Sequence, residues 1–538
     1  MNKWVCLCFF VWALWGCGSG RVERSATGQT TWGVANSARL SASGAPSAAA
    51  SASGPVPEVA PAPPKMLGLQ SPWSHACIVA DKRKPCRIEA FDVAEDGTIV
   101  AGGGTYVAAQ FGGVSHSLRG TETLVLAAFD PNGKVLWTKS LGKEAHNKIS
   151  DIQIAGDVIY VVGMHGNGFD LGKHRMPDLP RPPSTPGNDL SFMAETLFVA
   201  AYRLDGTLLW AKSAYSLFGL PEQPVTTQNI SLGIQSLYPN RHGGVYFVAF
   251  GTDPTNAGAR ILHTVHVVDG KPEASRTYKH DKQLFHLTGE STALDLDGNA
   301  YMLVTSLERT NPMRSKDYLM RFGQDGTVRS TLLWEQEFAP ERSRPWSVTA
   351  YLRMLADGSA IIASKHVHQQ FLGRNIPMKS TSHLRVVRVD SKGHVVLDRK
   401  LTTPVTHTSD QEEFFDVKTA VVNSAGELVI VLDHHLPVVI DGAMVSPIRQ
   451  SSVPNKHGLL PGGVTVLRGT FEPGRPISIG VLGPSPCLGV FPGAIQNVRA
   501  WRDRLLLIGP VVPESLPNPG CPAFANASSA IASVIEAN

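Results

Sequence analysis

What most constrains this chain is an internal repeat of paired strands. Five stretches share one pattern: LVLAAFDPNGKVLWTKSL from Leu124, LFVAAYRLDGTLLWAKSA from Leu197, ILHTVHVVDGKPEASRTY from Ile261, YLMRFGQDGTVRSTLLWE from Tyr318 and LRVVRVDSKGHVVLDRKL from Leu384. Each joins two runs rich in β-branched and apolar residues through a polar residue and a glycine, which supplies the positive φ of a tight hairpin. The turn glycines are Gly133, Gly206, Gly270, Gly326 and Gly393, with Gly474 in a sixth, degraded copy. A second hairpin precedes each copy, as in FDVAEDGTIVAGG from Phe91, IQIAGDVIYVVGM from Ile152 and VVNSAGELVIVLD from Val421, and a further copy begins at Val498.

Two hairpins make four antiparallel strands, and the units recur about every 55–80 residues, the construction of a propeller blade. The spacing predicts an all-β chain: a β-propeller of seven four-stranded blades over residues 66–538. The last unit is one strand short, and Ser71–Ala76 echoes the outer strand of other units. Pairing of the N- and C-terminal strands is therefore expected to close the ring and remove its open edge.

The N-terminus carries a different signal. After Lys3, twelve residues from Trp4 to Trp15 are all apolar, followed by small residues around Cys17. Twelve helical residues span about 18 Å, short of the roughly 30 Å hydrocarbon core, so residues 1–16 read as a signal peptide rather than a permanent span. Leu14-Trp15-Gly16-Cys17 resembles the bacterial lipobox, which implies lipidation of Cys17; Trp15 departs from that pattern. Gly18, where an aspartate would signal retention, implies the outer membrane as destination. From Ser41 to Pro64, 21 of 24 residues are Ser, Ala, Gly or Pro. Such a stretch cannot bury enough apolar surface to offset its chain entropy, so residues 17–65 read as a tether with a reach of about 35–40 Å.

Seven cysteines are present. With Cys6 and Cys8 removed and Cys17 lipidated, Cys77, Cys86, Cys487 and Cys521 remain, an even number in an oxidising compartment, where structural disulfides are expected. Three pairings are open, and the short separations favour Cys77 with Cys86 and Cys487 with Cys521. None of the four lies in a CxxC pair, so zinc and thiol-redox sites are not expected.

The hairpin consensus is similar to the bacterial β-propeller repeat family called SBBP and, more distantly, to pyrroloquinoline-quinone-type repeats. Phe169-Asp170-Leu171-Gly172, Phe371-Leu372-Gly373 and Ile440-Asp441-Gly442 match the short step between hairpins in that family. The resemblance covers most of residues 90–480 and implies fold rather than activity. Distant members include a lipoprotein propeller that scaffolds β-barrel assembly and quinone-dependent dehydrogenases. The vicinal cysteine pair of the dehydrogenases is absent, so no cofactor is expected.

Other local signals favour structure over chemistry. Asp295-Leu296-Asp297-Gly298 lacks the later ligands of a calcium loop and reads as a hairpin turn. His366 and His368 alternate on one strand face, but no third metal ligand can be named, and His434-His435 adds none. Gly102-Gly103-Gly104 reads as a tight turn after a strand. Trp137, Trp210 and Trp334 recur at blade period and are expected to pack between blades. No catalytic residue and no metal ligand is assigned.

Lysine and arginine number 49 against 45 aspartates and glutamates, and no basic stripe appears, which argues against nucleic-acid binding. The expected protein is a monomeric propeller held to the membrane by its lipid. Its expected role is non-enzymatic binding or scaffolding of an envelope protein or glycan, with a hydrolase or lyase of envelope polysaccharide or peptide as the alternative. An enzyme is expected to converge carboxylates or histidines on the channel end of the inner strands, and a scaffold to show apolar and small residues there.

Overall fold

The computed structural model describes the strands and short turns between residues 64 and 536. Residues 1–63, 71–76 and 80–85 and the longer connections, among them 177–195, 219–232, 447–462, 483–496 and 511–526, lie outside the described residues. The signal peptide, Cys17 and the tether fall there, as do Cys487 and Cys521.

Short apolar runs punctuated by glycine turns form antiparallel sheets, whose middle strands, such as Ile99–Thr105, Thr123–Phe129 and Leu428–His434, are buried along their whole length. The first comprises Cys86–Val93, Ile99–Thr105, Thr123–Phe129 and Val135–Leu141, hydrogen-bonded in that order. The second comprises Lys148–Ala155, Val158–His165, Thr196–Arg203 and Leu208–Ser213, and the third Gly233–Pro239, Val245–Thr252, Arg260–Val268 and Lys271–His280. The fourth runs from Thr292–Leu294 and Leu284–His286 through Ala300–Glu308 and Met313–Phe322 to Val328–Phe338. The fifth runs from Ser343–Met354 through Ala360–Gln370 and Lys379–Val389 to Val395–Lys400.

The sixth sheet is larger, with eleven strands. Phe415–Val422, Leu428–His434, Gly463–Gly469 and Ser478–Leu482 form one four-strand unit. Lys65–Gln70 then pairs in parallel with Ser478–Leu482 and antiparallel with Ala527–Glu536, which continues through Arg504–Pro510 to Asn497–Trp501. Cys77–Val79 also pairs with Ala527–Glu536 and with Ala109–Phe111. The chain is thus a β-propeller in which N- and C-terminal strands share a sheet.

The expectation of seven separate blades needs correction, because the described residues form six sheets of four or more strands, beside two short two-stranded ones, Asp170–Leu171 with His174–Arg175 and Val438–Ile440 with Ala443–Val445. The parallel pairing of Lys65–Gln70 fuses the last two four-strand units into one sheet. Seven inner strands still ring the axis, beginning at Cys86, Lys148, Gly233, Thr292, Ser343, Phe415 and Asn497, each in contact with the next and the last with the first. The buried apolar side chains of the described residues fall into seven clusters, one between each neighbouring pair of four-strand units. Removal of these faces from water is the dominant favourable term.

The three repeated tryptophans pack between sheets, two of them against a turn glycine. The ring of Trp137 on the outer strand of the first sheet lies against the Gly206 turn of the second, and its Nε1 donates to Leu204 O at 2.6 Å. Trp210 lies in the same way against Gly270 of the third. Trp334 departs from this pattern. It sits eight residues after its turn glycine rather than four, so Thr331 takes the place against Gly393, and Trp334 meets His366 and Arg385 instead.

The reading of Gly102-Gly103-Gly104 as a turn is corrected too. The three glycines lie inside the buried strand Ile99–Thr105. A Cβ at Gly103 would stand 1.7 Å from Arg87 O, and one at Gly102 would stand 2.5 Å from Ile149 Cδ1. Close backbone approach beside the irregularity between Ile88 and Ala90, not a turn, requires glycine there.

Candidate functional site

The inner strands run in one direction, and their C-terminal ends border a cavity of about 550 Å³ at the channel end surrounded by the short Asp-Gly turns. Tyr238 and Tyr246 stand with Asn240, Asp295 and Arg353 on the third to fifth sheets, Glu89, Asp92, Asp151, Gln153 and Arg499 supply the rest of the polar lining, and Leu237, Leu294, Leu352 and Val421 are buried in the clusters between sheets.

The polar lining is built by alternation along the inner strands, which turns every second residue inward. In the first sheet Asp92 follows this alternation, and the irregularity between Ile88 and Ala90 turns the extra residue Glu89 toward the same neighbouring strand. Ile149 N donates to Glu89 Oε2 at 3.1 Å, and Ile154 N donates to Asp92 Oδ2 at 2.7 Å. The second sheet repeats the device, with Leu237 N donating to Asp151 Oδ2 at 3.1 Å. Each carboxylate satisfies a main-chain N–H of the next inner strand, a group that is costly to bury unpaired.

Arg499, from the last inner strand, completes the arrangement. Its Nε lies 3.5 Å from Asp92 Oδ1 and its Nη2 lies 3.2 Å from Asp151 Oδ1. Gln153 Nε2 adds contacts of 3.2 and 3.3 Å to the two Asp151 oxygens. Burial raises the carboxyl pKa of Asp92 above its ordinary value, opposed by the Arg499 charge and the Ile154 and Val93 N–H groups. All four oxygens of Asp92 and Asp151 therefore have protein partners.

Neither expected channel lining is found unmixed. Carboxylates converge, as an enzyme requires, yet those of Asp92 and Asp151 are committed to the ring itself, and tyrosines stand among the polar groups of the lining. Sequence reasoning singled out none of Glu89, Asp92, Asp151 and Arg499. The signal was the inward register of FDVAED and ISDIQIAG, readable only once the neighbouring strand is known.

Of the residues that sequence reasoning did single out, Asp295 and Leu296 line this cavity, whereas His366 and His434 do not. Asp295 caps its own turn: Oδ1 accepts from Asp297 N and Asn299 N at 3.0 and 2.9 Å, and Oδ2 accepts from Asn299 Nδ2 and Tyr301 Oη at 2.8 and 3.0 Å. His366 is fully enclosed and stacks on His383, its cross-strand partner, at 5.2 Å, while the His368 and His435 side chains lie outside the described residues. His434 Nε2 and Thr465 Oγ1 are 2.8 Å apart. Among the described residues no group of three or more His, Cys, Asp or Glu is arranged to hold a metal. Cys86 is buried, and the side chains of Cys77, Cys487 and Cys521 lie outside the described residues.

The fold defines a β-propeller with a polar, ring-tied channel end. No protein-family model matches the chain, and no curated protein matches it. Solved structures share parts of its arrangement. A subtype N11 neuraminidase-like protein of the flat-faced bat strain H18N11 is 10% identical, with 78% of this chain and 99% of that one covered at a TM-score of 0.31. The α-L-arabinofuranosidase of Fusarium graminearum is 10% identical, covering 58% and 94% at 0.25, and an apocarotenoid oxygenase variant from Synechocystis is 12% identical, covering 73% and 87% at 0.31.

Proposed function

We propose that the protein is an outer-membrane lipoprotein, anchored through Cys17, whose propeller binds a neutral glycan segment of the envelope without turning it over. One observation carries the preference for binding: both oxygens of Asp92 and both of Asp151 already accept hydrogen bonds or ion-pair contacts within the ring. A hydrolytic carboxylate pair needs one oxygen free to face the scissile bond and another to activate water. A cavity that sets Tyr238 and Tyr246 beside fixed polar groups suits a sugar ring, which has hydroxyl edges and a C–H face.

One observation favours the alternative. Burial keeps the Asp92 carboxyl above its ordinary pKa, the direction a general acid requires. Envelope oligosaccharides titrated into the full-length Cys17→Ser protein separate the two readings. Saturable binding with unchanged oligosaccharide, weakened by Tyr246→Ala, supports binding. Cleavage products that disappear in Asp92→Asn overturn it in favour of the hydrolase. Fractionation of cells carrying wild type and Cys17→Ser tests the anchor, with the variant expected to leave the membrane pellet.

A further inference from the structure

The end of the ring that holds the cavity also carries most of its exposed apolar side chains. The turns that join first to second strand and third to outer strand lie at that end, because first and third strands run toward it. Among the described residues ten large apolar side chains are exposed, and six of them, Leu136, Leu209, Leu296, Val328, Val395 and Val396, belong to one of these turns or to the first two residues of an outer strand. Three share one cause. The pairing of third and outer strands slips between Ala128 and Phe129, between Ala201 and Tyr202 and between Arg388 and Val389, which makes Leu136, Leu209 and Val396 the extra residues. A bulged residue has no cross-strand partner to cover it, and these three are 51%, 41% and 57% exposed. The third sheet has the same bulge with Glu273 in that place.

Cations stand beside them. Each of the first six outer hairpins carries an exposed lysine or arginine within three residues of its turn glycine: Lys134, Arg203, Lys271, Arg329, Lys392 and Arg475. Aspartates of the same turns, among them Asp130, Asp205, Asp325 and Asp390, accept from main-chain N–H groups of the turn itself. Their short side chains stay against the backbone, whereas lysine and arginine reach outward on apolar stems.

The chain enters the propeller at this same end. Lys65–Gln70 runs parallel to Ser478–Leu482, away from the Gly474 turn. Leu69 faces Val534, which faces Leu505 just after the turn at Arg502, so Lys65 lies farther out on that side. A tether that joins the body here holds this end, rather than the other, nearest to its lipid. A half-exposed leucine or valine gains by leaving water, and a cation gains beside anionic headgroups, so both features favour a lipid surface as neighbour. A protein partner accounts for the apolar residues but not for the entry of the tether among them. We propose that the cavity end of the propeller rests on the membrane that holds the Cys17 lipid, with the bulged side chains in the headgroup layer and the cations against anionic lipids. The proposal rests on the anchor at Cys17, and it turns the mouth of the cavity toward the headgroups.

Flotation of the mature Cys17→Ser protein, residues 17–538, with vesicles of phosphatidylcholine and phosphatidylglycerol in equal parts reads this contact without the lipid anchor. The protein is expected to float with these vesicles, less with phosphatidylcholine alone, and less as salt rises. Leu136→Ser, Leu209→Ser and Val396→Ser combined are expected to weaken binding about tenfold or more, and Lys134→Gln with Lys392→Gln about tenfold on the mixed vesicles alone. Met444→Ser, 63% exposed on the hairpin beyond Leu428–His434 at the opposite end, is expected to change nothing. Protein that stays below both kinds of vesicle, or a triple variant that floats as the parent does, overturns the proposal. Should the triple variant fail to fold, the lysine pair decides alone. A photocrosslinker at Leu209 that captures a protein in cells instead of lipid overturns it as well. The anchor is read separately, by fractionation: wild-type protein that leaves the membrane pellet sinks the anchor even where vesicles float the body, and a pelleted wild type with no vesicle binding sinks the docking alone.

Discussion

The guanidinium of Arg499 stands 3.2 Å from the carboxylate of Asp151 across 348 positions of sequence, and the same group reaches Asp92 at 3.5 Å. One side chain thus links the last inner strand to the first two. Arg499→Met leaves two largely buried carboxylates without their counter-charge. The expected loss is about 2–4 kcal/mol, read as a lower denaturant midpoint with unchanged slope. Arg499→Lys is expected to recover part of it.

The contact of Trp137 with Gly206 gives a second test. Gly206 has φ of +84°, and a Cβ there would lie 2.9 Å from Trp137 Cδ2. Gly206→Val meets both penalties, backbone strain and a clash with a packed ring. It is expected to cost about 2–3 kcal/mol, seen as a lower thermal midpoint.

Acid titration should expose Asp317. Burial lifts its carboxyl to about 6, against an ordinary value of 3.8, so the folded state holds the proton more tightly than the unfolded state. Its contribution is fully present below pH 4 and is lost as pH rises through about 6, a swing of about 2–3 kcal/mol. Asp317→Asn is expected to be more stable than wild type at pH 7 and equal to it at pH 4, which chemical denaturation at the two values checks.

His263 acts with the opposite sign. Burial holds its imidazole down at about 4, beside Thr277 Oγ1 at 2.9 Å. Its contribution is present above pH 6.5 and is lost as pH falls toward 4. His263→Gln is expected to remove about 2 kcal/mol of that acid loss. Because the Asp317 and His263 slopes oppose each other over the same interval, the wild-type profile is expected to be flatter than either variant's.

The sheets were legible in the sequence wherever a turn glycine stood at a fixed distance from an outer-strand tryptophan, as at Gly133 and Trp137 or Gly206 and Trp210. Where four extra residues separate the two, at Gly326 and Trp334, the tryptophan still packs between sheets, but against His366 and Arg385 rather than a turn glycine, because contact depends on height along the strand. The three glycines at 102–104 misled. A run of glycine signals either a turn or a close backbone approach, and only the position of Arg87 decides. The fusion of the last two units was hidden because a parallel rung between residues more than 400 apart leaves no local pattern. The channel carboxylates escaped notice because Asp92 and Asp151 lie in runs that read as ordinary strand, and their partners are main-chain N–H groups of another strand.

The insertion of Lys65–Gln70 beside Ser478–Leu482 and Ala527–Glu536 has a mechanical consequence. Lys65, Met66 and Leu67 are in register with Gly480, Val481 and Leu482, while Leu67 to Gln70 face Glu536 to Ser533. A pull along that strand from its N-terminal side loads these rungs together, in shear, instead of peeling them one at a time. A body held from that end would resist drag until several hydrogen bonds fail at once, and the strand where the ring joins itself would be the part that bears the strain.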